Sequence, residues 1–245
     1  MKKILFSLIG IVVLFFVFAW YFNASIYWEM QEAQIYMPSD FTSYTLGSSN
    51  SEPLTYAAIG DSLTAGTGVD TYTQSYPYLI AQEIADESKT ILLKPFAVPG
   101  VRSAYVLENF LEPAVASNPD IITLLIGIND IHGKVSDKKF QENYEKILTV
   151  LTQETNAKIY AINLPYIGTE ELISLPYRDY FNWRTQQYNE IIKKMAEKYS
   201  VTYIDLYTAH MPHALNPSYY AADFFHPNTL GYSMWAEFMY ANFSK

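Results

Sequence analysis

The sequence predicts an α/β protein of three layers, with a five-stranded parallel sheet between two layers of helices. Three observations carry that expectation. Strand-like apolar runs alternate with helix-like patterns from about Leu54 to the C-terminus, the order that a parallel sheet with helical crossovers requires. One run, Ile121 to Ile126, is built from β-branched residues, Leu and one Thr without a break, as in a strand covered on both faces. Half of the 245 residues are hydrophobic and 17% are charged, enough apolar side chain for one sizeable core.

The elements follow in order. Leu54 to Ile59 is a short apolar run, with the first strand expected over Thr55 to Ile59. Tyr76 to Ala85 carries Leu79, Ile80 and Ile84 at helical spacing. Ile91 to Val98 is the second strand and Ala104 to Leu111 a helix. After the third strand, Ile121 to Ile126, the stretch Phe140 to Leu151 places Tyr144, Ile147, Leu148 and Leu151 on one helical face. Ile159 to Leu164 is the fourth strand, Tyr180 to Tyr199 a long helix, and Val201 to Leu206 the fifth strand. Thr229 to Asn242 closes the chain as a helix, with Asn228 as its N-cap.

Ahead of the domain lie two further segments. Lys2 and Lys3 precede Ile4 to Phe22, an uncharged run that at helical rise approaches the thickness of a bilayer core. Residues 1–22 therefore read as a signal anchor or transmembrane helix. Val17-Phe18-Ala19 offers a processing site, but the apolar run continues through it into Trp20, Tyr21 and Phe22, residue types that favour the interface. Either way the Lys pair belongs on the cytoplasmic side and the domain outside: a single-pass cell-membrane protein with an extracellular domain, or a secreted one if the run is cleaved. Residues 23–52 mix aromatic and polar side chains and end in Gly47-Ser48-Ser49-Asn50-Ser51, a connector that packs in part on the domain. Residues 53–245 form the domain itself.

Composition removes several function classes. The net charge is −9, so the surface repels nucleic acid. There is no cysteine, which excludes a disulfide framework, a thiol nucleophile and a Cys-ligated metal. His210 and His213 resemble a ligand pair, but no carboxylate completes a zinc pattern around them; no metal and no cofactor are expected. The 22 Tyr residues read as filling half-buried sites, although such amphipathic rings can also form a lipid- or sugar-facing wall.

Four stretches carry chemistry. Gly60-Asp61-Ser62-Leu63-Thr64-Ala65-Gly66 places a Ser in the turn that ends the first strand, where an α/β protein presents a nucleophile. Val98-Pro99-Gly100-Val101-Arg102-Ser103 follows the second strand, Gly127-Ile128-Asn129-Asp130 the third, and Asp223-Phe224-Phe225-His226-Pro227-Asn228 precedes the last helix. A doubly wound sheet can bring all four to one edge.

In these blocks the chain resembles the SGNH hydrolase superfamily, the GDSL lipase/esterase family, over residues 55 to about 240. Gly60-Asp61-Ser62-Leu63 matches the first block, Gly100 the second, Gly127-Ile128-Asn129-Asp130 the third and Asp223-Phe224-Phe225-His226 the last. Lys94 to Arg102 holds no Asn, where the family's second block often carries one. The resemblance implies a flavodoxin-like SGNH fold and a serine esterase or lipase. Its substrates would be acyl chains of lipids or lysophospholipids, or alternatively the O-acetyl groups of a cell-wall or surface polysaccharide. A catalytically silent binding module is the reading from another class.

By the same resemblance Ser62 is the nucleophile, His226 its base and Asp223 the group that orients the ring. The backbone N–H of Ser62, that of Gly100 and the Asn129 amide form the oxyanion hole. The chemistry is consistent: a hydroxyl needs a base within hydrogen-bond reach, and a tetrahedral oxyanion needs preorganised donors. Asp61 is expected to brace the turn by Asx-type bonds, and Asp130 to be structural. His132 could line the pocket. Arg102 could meet a substrate carboxylate or be solvated.

Overall fold

The fold was taken from a computed structural model, which describes residues 7–21, 37–47, 52–86, 89–166, 169 and 177–243. By chain contacts it forms two units, Met1–Gln34 and Ile35–Lys245. In the first, residues 7–21 are helical (α1), with Phe15, Phe16 and Trp20 exposed. Among the described residues no helix is long and apolar enough to cross a membrane. The transmembrane helix expected over residues 1–22 is thus not found among the described residues, which cover 7–21 of that run. Lys2, Lys3 and the first part of the connector, residues 23–36, lie outside the described residues.

The second unit is an α/β sandwich, and its sheet corrects the sequence expectation. It has six strands, not five, and is mixed, not parallel: β1 (Tyr44–Leu46), β2 (Leu54–Gly60), β3 (Ile91–Ala97), β4 (Ile121–Leu125), β5 (Lys158–Ile162) and β6 (Thr202–Ile204) stand in the order β1-β3-β2-β4-β5-β6. Strands β2 to β6 are parallel, as expected, and β1 pairs with β3 antiparallel, Tyr44 opposite Leu93. The added strand comes from the connector. Tyr44 stacks on Tyr72 and meets Tyr78 edge-on, while Asp40 accepts from the Tyr44 hydroxyl at 2.7 Å and the Tyr72 N–H at 2.6 Å. These contacts hold a three-residue strand over the otherwise open edge of β3.

Helix α2 (Ser62–Ala65) follows β2, and α3 (Tyr76–Asp86) leads to β3. The helix expected over Ala104 to Leu111 is instead a broken stretch. It runs as α4 (Ser103–Tyr105), a π-helical turn over Val106–Phe110, then α5 (Leu111–Ala116). Beyond β4 come α6 (Ile128–His132) and α7 (Asp137–Glu154); α8 (Tyr177–Tyr199) joins β5 to β6, and α9 (Leu206–His210) and α10 (Thr229–Tyr240) close the chain. The Asn228 side chain caps α10 by accepting from the N–H of Leu230 and Gly231.

Right-handed crossovers place the helices. The chain moves from β2 to β3 in one direction and from β4 through β6 in the other, so α3 and the pair α7 and α8 cover opposite faces. Strand order reverses about β2, which has β3 on one side and β4 on the other. At such a switch point the loops leaving adjacent strands part and open a crevice. Register makes that crevice level: Gly60 at the end of β2 stands opposite both Ala97 of β3 and Leu125 of β4. The loops holding Ser62, Gly100 and Asn129 therefore leave one edge side by side.

Candidate active site

Ser62 opens α2 at the second residue past the strand end, one beyond Asp61. Asp61 caps that helix, its Oδ1 accepting the Leu63 N–H at 3.1 Å. The capped turn fixes the Ser62 backbone at the crevice, and only 5% of Ser62 is exposed.

The Asp223–His226 loop arrives from the other end of the sequence. Asp223 Oδ1 accepts from the backbone N–H of Phe225 and of His226, both at 3.0 Å, and the Ala221 N–H donates to the His226 carbonyl at 2.8 Å. An isolated bridge between Tyr220 and Pro227 closes the base of the loop. These bonds bend the segment so that two residues three apart face each other. His226 Nδ1 lies 2.6 Å from Asp223 Oδ2 and His226 Nε2 lies 3.0 Å from Ser62 Oγ. With Asp223 ionised, Nδ1–H donates to it and Nε2 is left to accept from the Ser62 hydroxyl. Burial works to raise the Asp223 carboxyl, but the His226 ring and the two loop N–H groups outweigh it and hold the group below its usual range.

The other two stretches meet beside Ser62. Gly100 has φ +81, and a Cβ built on it would touch nothing within 4 Å, so the backbone conformation, not crowding, favours glycine there. No hydrogen bond within the described residues uses the backbone N–H of Ser62 or of Gly100; both donors are free. The Asn129 Nδ2 is not: it donates to the Val101 carbonyl at 3.1 Å and to Asp61 Oδ2 at 3.3 Å. Burial and the nearby Asp130 push the Asp61 carboxyl up to about 7, against the opposing bonds from Leu63 and Asn129.

Asp130 holds the Gly100 loop in place. It accepts the Ser103 N–H at 2.8 Å and the Ser103 hydroxyl at 2.6 Å, and Asn143 of α7 donates to the same hydroxyl at 2.9 Å. Ser103 and Asn143 did not stand out in the sequence, where nothing signals a pairing across such separations. Gly68 was also missed. A Cβ there would stand 2.3 Å from the Pro227 carbonyl and 3.0 Å from His226 Cβ, so the loop after α2 and the His226 loop touch only because residue 68 has no side chain.

The remaining candidates fall in different places. His132 is half-buried, meeting the rings of Phe181 and Phe225 at 5.4 and 5.7 Å; burial and then the charge of His226 push it down to about 4. Arg102 is exposed beside Gly133, and its charge acts on Asp130. The histidines at 210 and 213 have separate contacts. His210 is buried between the Tyr220 hydroxyl, 2.8 Å from Nε2, and the Trp235 indole N–H, which donates to Nδ1 at 3.1 Å. His213 packs on Tyr219. Among the described residues no group of three or more His, Cys, Asp or Glu could hold a metal ion.

A hydroxyl, an imidazole and a carboxylate in series, with free backbone donors beside the hydroxyl, can perform acyl transfer to serine, and the class this defines is the serine ester hydrolases. The chain belongs to the GDSL-like Lipase/Acylhydrolase family, which residues 58–234 match. A multidomain esterase of Ruminococcus flavefaciens is 32% identical over 120 residues, 47% of this chain. The match spans only 14% of that much longer protein. Two solved structures share the fold. The lipase/acylhydrolase from Enterococcus faecalis is 19% identical, with a TM-score of 0.65 over 77% of this chain and 94% of that one. Axe2, an acetylxylan esterase from Geobacillus stearothermophilus, is 20% identical, with a TM-score of 0.62 over 80% and 95%.

Proposed function

We propose that this ester hydrolase works through an acyl-serine intermediate on Ser62. The observation that carries the reading is the unbroken relay from Asp223 Oδ2 through the His226 ring to Ser62 Oγ, at 2.6 and 3.0 Å. Ser62 Oγ attacks the ester carbonyl as His226 Nε2 takes its proton. Asp223 holds the ring's tautomer and offsets the charge on the imidazolium. The carbonyl oxygen, now an oxyanion, accepts from the Ser62 and Gly100 N–H groups and from the Asn129 amide. Collapse of the intermediate expels the alcohol, which takes the proton from Nε2. Water then enters, gives a proton to the same nitrogen and adds its oxygen to the acyl carbon; collapse of this second intermediate breaks the bond to Ser62 Oγ, which takes the proton back from Nε2 as the carboxylic acid leaves.

Two substrate classes are consistent with this chemistry. Acyl lipids or lysophospholipids are suggested by the apolar N-terminal run, and O-acetylated polysaccharide by the likeness to an acetylxylan esterase. On the first, residues 1–22 tether the domain outside the cell membrane, a reading that rests on the Lys pair and the uncharged run behind it. Turnover of an ester series from acetyl to long acyl tests the pair. A sharp optimum at acetyl removes the lipid reading, a long-chain optimum removes the acetyl one, and no turnover by the intact protein removes both in favour of a silent binding module.

A further inference from the structure

The proposed base sits on a loop whose foot is closed by Tyr220 and Pro227, paired in an isolated bridge. The Tyr220 carbonyl also accepts from the Asn228 amide at 2.9 Å, so the foot includes the residue that caps α10. Bonds inside the loop give it its shape, but they do not place it relative to Ser62, which stands beyond the end of β2. The contact at Gly68 limits how near the loop comes. A buried chain of hydrogen bonds ties it down.

His210, the last residue of α9, lies by its Nε2 at 2.8 Å from the Tyr220 hydroxyl. The Trp235 indole of α10 donates to His210 Nδ1 at 3.1 Å, and the Tyr220 hydroxyl donates to the Ala214 carbonyl at 2.8 Å. All three side chains are buried. An indole N–H can only donate, so Nδ1 accepts and the ring proton is on Nε2, directed at the Tyr220 oxygen. The hydroxyl's own proton goes to Ala214. Each direction in the chain is thereby fixed, and the Tyr220 ring has one place to sit. Burial, and then the charge of His213, push His210 down to about 4, so the ring keeps this form at neutral pH.

Helix α9 is in turn pinned to the sheet. Asn163, the residue after β5, donates to Asp205 Oδ1 at 2.8 Å and accepts the Tyr207 N–H at 2.8 Å. Asp205, the residue after β6, caps α9. A continuous path therefore runs from the carboxyl ends of two strands through α9, His210 and Tyr220 to the foot of the loop.

We propose that His210 is a positioning residue for ester hydrolysis: acting through Tyr220, it sets the distance between His226 and Ser62. This role rests on the reading that Ser62 and His226 cleave the ester. Two apolar side chains in place of His210 and Tyr220 would fill the space with no polar group to satisfy. They would not supply a fixed direction for the foot of the loop.

The test sets His210→Phe against His210→Gln, and Tyr220→Phe against Tyr160→Phe. Gln keeps one donor and one acceptor, and Phe keeps neither. Tyr160 likewise donates a buried hydroxyl to a carbonyl, that of Phe243 at 2.8 Å, beyond the end of α10 farther from the loop. Hydrolysis of p-nitrophenyl acetate by the full chain is followed well below each variant's thermal midpoint. In His210→Phe and Tyr220→Phe, kcat should fall about tenfold with KM unchanged, and fluorophosphonate labelling of Ser62 should slow to match. His210→Gln should recover most of the loss, and Tyr160→Phe should lower the midpoint alone. Tyr220→Phe removes a single oxygen and carries the same readout if His210→Phe does not fold. Full kcat in folded Tyr220→Phe, a Gln variant no better than His210→Phe, or an equal loss in Tyr160→Phe overturns the positioning role and leaves the esterase reading standing. If the parent chain turns over no ester and Ser62 takes no label, the esterase reading falls and the positioning role with it.

Discussion

Asn129 and Asp61 are joined by a hydrogen bond of 3.3 Å from the Asn129 amide to the carboxylate beside the proposed nucleophile. The same nitrogen also donates to the Val101 carbonyl, so both of its protons are engaged in the free protein. On the proposed mechanism, an oxyanion forming at Ser62 draws one of them away. The weaker of the two contacts is the longer bond to Asp61, which makes the Asp61 side the one that yields.

Replacing Asn129 by Ala therefore removes the donor that the proposed mechanism uses in the transition state and two ties of the resting loop. The expected result is a fall in kcat of about a hundredfold to a thousandfold with KM little changed, read by steady-state hydrolysis of p-nitrophenyl acetate.

Asp61 gives a prediction in pH. Its folded value, about 7, lies above that of an exposed carboxyl, so between the two the native state holds a proton that the unfolded chain has lost. The associated stabilisation is complete below the ordinary carboxyl range and is lost as pH rises through about 7. Asp61→Asn cannot titrate. Urea unfolding should show the stability of the variant, relative to the parent, improving from pH 4 to pH 8 by up to about 4 kcal/mol, and levelling beyond.

Asp130 should matter for stability and rate together. Asp130→Ala leaves the buried Ser103 N–H without its acceptor, at a cost of about 3 kcal/mol. It also frees the Gly100 loop. Thermal unfolding should register the first effect, and a drop in kcat measured well below the new midpoint should register the second.

At Gly68 the prediction is geometric. An Ala Cβ would collide with the Pro227 carbonyl and crowd His226, so His226 must shift from Ser62. Displacement of about 1 Å at a reacting group costs about a hundredfold. Gly68→Ala should lose about that much kcat, and a second substitution far from the site, Lys138→Ala at an exposed ion pair, should lose none.

Much of this arrangement was legible in the sequence, where a residue's neighbours in the chain carry its signal. The run Ile121 to Leu125 reads as a buried strand because every position is apolar or β-branched. The spacing from Asp223 to His226 matters because three residues suffice to turn one side chain onto the other. Strand β1 was hidden for the opposite reason: three residues, Tyr44–Leu46, show no period and become a strand only because Tyr72 and Tyr78 receive Tyr44. The same holds for Ser103 under Asp130, for Gly68 against Pro227, and for Phe181 meeting His132 across 49 residues of chain. The π-helical turn at Val106–Phe110 broke a helix that periodicity alone would have drawn straight.

The account depends most on Ser62 being made nucleophilic by His226. Treating the protein with a fluorophosphonate and locating the adduct by peptide mass spectrometry tests this directly. Labelling should fall on Ser62 in the parent chain and drop at least a hundredfold in rate in His226→Ala, with the circular dichroism spectrum unchanged. Equal labelling of Ser62 without His226, or an adduct on another residue accompanied by full loss of activity, would contradict it.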